Sequence, residues 1–289
     1  MGPREIAELL LVGAIWGGAF PLLRIAVPDF GPTALTGMRM LVAALALLPW
    51  LKPGHLRQQR VATLLVLGTV NSALPFVLFA FAAQSLSAGV TSLLNATTPM
   101  FGAAIAYLWL RERIAATQLA GIVIGFAGVG AIVVLTLGVG RSGTAAGFAA
   151  GLAGAACYGF ASNFTRRVIG RGDARAVAAV SVLISSLLLL PFTVAAWPAR
   201  TPGWGAATAV IALGLVCTAL AYYIYFGLLQ RIGVARAINV TFLVPVFGTM
   251  FGAIFLGERL SPAVLLACAV VLVGTMLAAG VVGRRPGNG

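Results

Sequence analysis

Inside one long apolar run lies LNATTPMFG, residues 94–102, and inside another lies VTFLVPVFG, residues 240–248. Proline has no N–H and its ring crowds the carbonyl four residues earlier. Pro99 therefore frees the carbonyl of Asn95, and Pro245 frees that of Thr241. In a nonaqueous interior each freed carbonyl must face a neighbouring group, water or a cavity. Together with the Thr98 hydroxyl, these groups are suited to holding polar atoms of a ligand and not to making or breaking bonds. Asn71 and Asn163 add amides within other apolar runs. Trp16 and Phe20 are one helical turn apart and share a face, and Phe79, Tyr158, Tyr222 and Tyr225 fall at mid-run. These residues form a candidate wall for an apolar or aromatic ligand body. The competing reading is kinks and aromatic packing satisfied within the protein, and composition does not choose between them.

Arg39 is the sharpest charge, because it stands near the centre of an apolar run where a cation is costly. A structural role is preferred for it, binding freed carbonyls or reaching Asp29. The alternative is an anchor for a ligand carboxylate. All six acids, Glu5, Glu8, Asp29, Glu112, Asp173 and Glu258, lie at or near the ends of apolar runs. No mid-run carboxylate is present to relay protons, which points to facilitated movement or indirect coupling and away from polycations as ligands. Glu112 and Glu258 are expected to pair with the adjacent Arg113 and Arg259. An enzyme would need a nucleophile–base pair, paired carboxylates or a metal cluster. The single histidine, His55, falls in a connection, and Cys157, Cys217 and Cys268 have no metal-ligand spacing. No Gly-rich phosphate loop followed by Lys is found. The chain is therefore not expected to be an enzyme, and no cofactor, metal or nucleic acid is expected to bind.

The elements that must position these residues follow from composition. Of the 289 residues, 61% are hydrophobic and 9% charged, against about 25% charged in soluble domains. The mean hydropathy is +1.04. The charges punctuate runs of roughly 20 residues, the length of a transmembrane helix. This pattern argues that the net charge of +13 serves membrane topology. Ten helices are predicted, near 6–26, 32–50, 62–82, 87–109, 116–137, 146–166, 175–196, 205–229, 234–256 and 262–282. The first is not read as a cleavable signal peptide. Fourteen of the 19 basic residues, among them Lys52, Arg57, Arg171, Arg284 and Arg285, fall on the side of the termini, while Arg141, Arg200 and Arg259 fall on the other. Basic residues concentrate in the cytoplasm, so both termini are expected there. Trp50, Trp109, Trp197 and Trp204 lie near helix ends and read as an interfacial belt.

The chain also repeats itself. At a shift of 146, Gly68 meets Gly214, Pro99, Phe101 and Gly102 meet Pro245, Phe247 and Gly248, and Glu112-Arg113 meets Glu258-Arg259. At a shift of 142, Gly17 meets Gly159 and Arg24 meets Arg166. Five helices per copy, an odd number, invert the second copy relative to the first, as in secondary transporters with a site between the halves. The expected division is 1–137, 146–283 and a short basic tail, 284–289.

With Trp16-Gly17, Arg39, Pro99 followed by Leu110-Arg111-Glu112-Arg113, and Pro245 followed by Leu256-Gly257-Glu258-Arg259, the whole chain resembles the drug/metabolite transporter superfamily in its EamA-domain branch. Its general likeness is to exporters of aromatic amino acids. The second copy departs from the pattern, with Cys157-Tyr158-Gly159 where the first has Trp16-Gly17-Gly18. The resemblance implies an all-α, ten-helix protein with a cavity lined by the first, third, fourth, sixth, eighth and ninth helices. The chain is expected to be a multi-pass protein of a bacterial cytoplasmic membrane and to function as a monomer. The expected activity is export of small metabolites, with neutral apolar or aromatic amino acids favoured. A drug or organic-cation carrier, a passive channel and a membrane scaffold are the alternatives.

Overall fold

The computed structural model describes residues 1–51, 60–137, 144–168, 174–237 and 239–280. Lys52, His55, Arg57, Arg141, Arg171, Asp173, Arg284, Arg285 and the tail 284–289 lie outside the described residues. Among the described residues the protein is helical and contains no strand. The long helices are α1 (Pro3–Leu47), α2 (Val61–Ala82), α3 (Ala88–Leu110), α4 (Ala116–Leu137), α5 (Thr144–Val168), α6 (Ala174–Ala195), α7 (Trp204–Ile232), α8 (Val240–Leu256) and α9 (Pro262–Ala278), with short turns of helix at Leu48–Trp50 and Val234–Ala237. Among the described residues, seven helices are long and apolar enough to cross a membrane, and α8 and α9 are shorter apolar helices.

α1 contains 45 residues, about twice the ~20 residues that a bilayer requires. It is broken at Gly31, whose φ of 68° and ψ of 167° leave the helical region. A positive φ suits glycine, which has no Cβ to clash, and Pro28 and Pro32 flank the break. The two arms, residues 3–30 and 32–47, occupy the positions of the first two predicted helices.

α2 and α7 each contain a π turn, Thr69–Ala73 in the first and Leu215–Leu220 in the second. The two turns start at equivalent positions of the sequence repeat. α3 is interrupted at Thr97, between Ala88–Ala96 and Thr98–Leu110. Proline at the second position of the following segment needs no helical N–H partner there. The carbonyl of Asn95 accepts a hydrogen bond from the Thr98 hydroxyl at 2.7 Å. In α8, by contrast, Pro245 sits inside an uninterrupted helix.

Between apolar helices in lipid, close packing of small residues replaces the hydrophobic drive of water. A Cβ on Gly17 would come within 2.5 Å of Phe247 Cβ and 2.9 Å of the Gly248 nitrogen, so α1 and α8 cross backbone to backbone. A Cβ on Gly159 would come within 2.7 Å of the Gly102 nitrogen and 2.9 Å of Phe101 Cβ, the corresponding crossing of α5 with α3. Gly121, Gly125 and Gly128 of α4 similarly interlock with α9 around Gly274. The outer surface carries large apolar side chains such as Leu108, Val134, Phe255 and Leu266, as a lipid-facing surface requires. Trp197 and Trp204 are exposed near helix ends.

Candidate functional site: a central cavity with an aromatic wall

A cavity of about 290 Å³ lies at the centre, bordered by α1, α2, α3, α5, α7 and α8. Of the residues singled out in the sequence, Trp16, Phe20, Asn71, Phe79, Asn95, Thr98, Tyr158, Tyr222, Tyr225 and Thr241 line it. Trp16 packs against Tyr225 with centroids 4.9 Å apart and meets Tyr222 edge-on at 6.4 Å. Tyr158 stacks on Phe79 at 5.9 Å, and Phe79 meets Phe20 edge-on at 6.1 Å. Such offset and edge-on pairs are the favoured aromatic geometries. They make a stiff wall on which a flat or branched apolar group can lie.

Three predicted residues are absent from this lining. Pro99 and Pro245 shape their helices without bordering the cavity. Asn163 is a joint: its amide donates to the carbonyls of Gly102 and Gly159, both at 2.9 Å, and its Oδ1 accepts from Arg166 at 3.2 Å. Phe76, Ser162, Cys217, Phe226 and Val244 also line the cavity. Spacing offered a partial signal for these, since Phe76 and Phe79 are three apart on α2, and Tyr222 and Phe226 are four apart on α7.

Arg39 also lines the cavity, from the second arm of α1, and it is 5% exposed. The preferred expectation for it is corrected in part. Asp29 accepts the Gly203 N–H at 2.8 Å and is not its partner. Instead, Arg39 Nε donates to Thr218 Oγ1 at 3.0 Å, and the guanidinium carbon lies 4.1 Å from the centroid of Phe76. The π turn in α7 accounts for Thr218's position. Its hydroxyl reaches back five residues to the Leu213 carbonyl at 2.8 Å.

The expected pairing of the two C-terminal glutamates with their neighbouring arginines is also corrected. Glu258 pairs with Arg24 at 3.5 Å and Glu112 with Arg166 at 2.7 Å. The reason lies in the helix ends. Arg111 (φ 55°) and Gly257 (φ 62°) adopt left-handed caps. The next N–H, of Glu112 or Glu258, then bonds six residues back to Ala106 or Gly252. This turn carries each carboxylate across to the facing helix and away from Arg113 or Arg259.

Apolar helices of spanning length around a central, partly polar cavity define a multi-pass membrane transporter. The EamA-like transporter family matches residues 5–134 and again residues 145–280. The chain belongs to that family, within the drug/metabolite transporter superfamily, as a protein of the bacterial inner membrane. A probable terminal-alkyne amino-acid exporter of Streptantibioticus cattleyicolor is 29% identical over 282 residues, covering 95% of this chain and 93% of that one. Probable amino-acid metabolite efflux pumps of Salmonella typhimurium and Escherichia coli are 26% and 27% identical, covering 92% and 95% of this chain and 91% and 94% of theirs. A solved crystal structure matches with a TM-score of 0.63 over 96% of this chain and 99% of its own, at 20% identity. That likeness concerns the fold.

Proposed function

We propose that this protein exports hydrophobic or aromatic amino acids by alternating access, as a secondary transporter of ten spans with cytoplasmic termini. The observation that carries this reading is the cavity: an aromatic wall, two amides, one guanidinium and no carboxylate among its lining residues. The relatives, a probable terminal-alkyne amino-acid exporter and probable amino-acid metabolite efflux pumps, favour the amino-acid class. Counting the two arms of α1 separately gives ten apolar helical segments of ten or more residues among the described residues, which supports the ten-span reading. The halves, 1–137 and 146–283, are proposed to be inverted repeats. Their reciprocal contacts support this: Gly17 packs on Phe247 and Gly248 where its equivalent Gly159 packs on Phe101 and Gly102. Arg24 pairs with Glu258 where its equivalent Arg166 pairs with Glu112. Two like halves related by a two-fold axis exchange partners in this way.

The test is counterflow into liposomes that contain the purified protein and no ATP. Saturable exchange of phenylalanine and leucine, well above that of glutamate or spermidine, is the expected result. Preferential transport of glutamate or spermidine would overturn the substrate class. Linear, non-saturable flux without counterflow would indicate a passive channel.

A further inference from the structure

Arg39 is held on two sides. Phe76 covers one face of the guanidinium, and Thr218 accepts its Nε–H. Thr218 spends its own proton on the Leu213 carbonyl, so its lone pair is oriented toward Arg39. Among the described residues, Nη1 and Nη2 donate to no acceptor, and none of the ion pairs includes Arg39. A buried guanidinium with a clamped Nε and a free Nη edge is costly in a membrane interior unless an anion meets it.

The sequence repeat supplies an internal comparison. At the shifts of 142 and 146, Arg39 corresponds to Ser181 and Thr218 to Ser72. Ser181 and Ser72 also touch, with their hydroxyls 3.2 Å apart. Ser181 additionally reaches the Leu67 carbonyl at 3.2 Å and receives the Asn71 amide at 3.2 Å. The same helix–helix joint is therefore closed in one half by two hydroxyls without any charge. A purely structural joint does not need a guanidinium, yet the other half places one at the cavity.

We propose that Arg39 is the carboxylate anchor of the cavity, and that the ligand class is small monocarboxylates with an apolar or aromatic body. This rests on the cavity being the transport site. A guanidinium edge offers parallel N–H donors matched to the two oxygens of a carboxylate. The apolar body then lies against Trp16 and Tyr158, which border the same space. Because no lining residue is a carboxylate, nothing in the cavity demands the ligand's ammonium group. A des-amino acid should therefore bind, and an amine lacking the carboxylate should not.

The experiment measures binding to the purified full-length protein through its tryptophan fluorescence, with phenylalanine, 3-phenylpropionate and phenethylamine as probes. The first two are expected to bind, and phenethylamine about 10-fold or more weakly, as befits loss of a charge-assisted hydrogen bond. Arg39→Gln should erase the difference between 3-phenylpropionate and phenethylamine, and Arg39→Lys should restore part of it. The comparison of probes on the unsubstituted protein stands even where a variant folds poorly. Equal binding of phenethylamine and 3-phenylpropionate, retained discrimination in a folded Arg39→Gln, or no binding of any probe overturns the anchor. Carboxylate-dependent binding without counterflow in liposomes would keep the anchor and overturn the transport reading. Phenylalanine counterflow that phenethylamine inhibits equally would do the reverse.

Discussion

Two corners of the molecule are built from equivalent residues, Arg24 with Glu258 and Arg166 with Glu112, yet they are held differently. At the first, Glu258 accepts the Ala88 N–H through both oxygens at 2.9 Å and so caps the start of α3, while Arg24 donates to the Ala83 carbonyl at 3.0 Å. Side-chain exposure there is 29% for Arg24 and 12% for Glu258. At the second corner the pair is 55% and 50% exposed, and Arg166 adds only Asn163. Among the described residues, neither Arg166 nor Glu112 bonds to residues 229–233, the equivalents of 83–87. The first corner is thus clamped to the connection between its neighbouring helices, whereas the second is half-exposed and its arginine makes no bond to Leu229, the equivalent of Ala83. On the proposed topology the clamped corner faces outside and the loose one faces the cytoplasm, as in a carrier closed outward and open inward. The ion pair itself is common to both corners. What differs is its attachment to the next connection, and on this account that attachment is the closing contact.

The comparison breaks most sharply at the carboxylates. Glu258→Gln removes the charge that answers both Arg24 and the α3 N-terminus, and it is expected to cost about 1.5–3 kcal/mol of stability. Glu112→Gln, in a half-exposed pair, should cost no more than about 1 kcal/mol. Unfolding in mixed micelles measures both, and equal losses would mean that the corners are energetically alike. A second contrast lies at the equivalent glycines of α8 and α3. A Cβ on Gly248 would come 2.4 Å from Ser92 Oγ, whereas one on Gly102 would find its nearest neighbour 3.9 Å away. Gly248→Ala is expected to cost about 1–3 kcal/mol by overpacking and Gly102→Ala less than about 0.5 kcal/mol, read from the same unfolding curves. Asn163→Ala sharpens the loose corner. Its equivalent in the first copy is Pro21, so only this half has the amide joint to Gly102 and Gly159. Its loss should cost about 1 kcal/mol and lower the transport rate without changing substrate preference.

The sequence carried the helical runs, the tandem copies and most of the aromatic wall, because apolar length, matched motifs and helical spacing are local properties. The ion pairs are not legible there, because they join residues far apart in sequence and not the adjacent Arg113 and Arg259. The left-handed caps at Arg111 and Gly257 redirect Glu112 and Glu258 across the bundle, and only glycine in the second copy hinted at such a cap. The π turns were equally hidden. Pro75 marks the end of the first, but its equivalent in the second copy is Ala221, so proline does not explain both. Without the π turn in α7 nothing in the sequence brings Thr218 to Arg39, for which freed carbonyls or Asp29 are the expected partners. The carbonyl of Asn95 found a nearer partner, the Thr98 hydroxyl one turn away.

The central claim, that the two ends of the path open in turn, is tested most directly by single cysteines at Ala103 on α3 and Thr249 on α8. The equivalent of Ala103 is Thr249, and Thr249 lies against Gly89. Cys157, Cys217 and Cys268 are first replaced by Ala, and a membrane-impermeant thiol reagent is applied from each side. The account predicts that Ala103→Cys reacts from the cytoplasmic side and Thr249→Cys only from outside. In the resting protein Ala103→Cys should react faster, and substrate should shift the two rates in opposite directions, as far as it binds the two states differently. Labelling of both positions from both sides at once would contradict alternation and indicate a continuous pore. Labelling of neither would place both segments in buried structure away from the path.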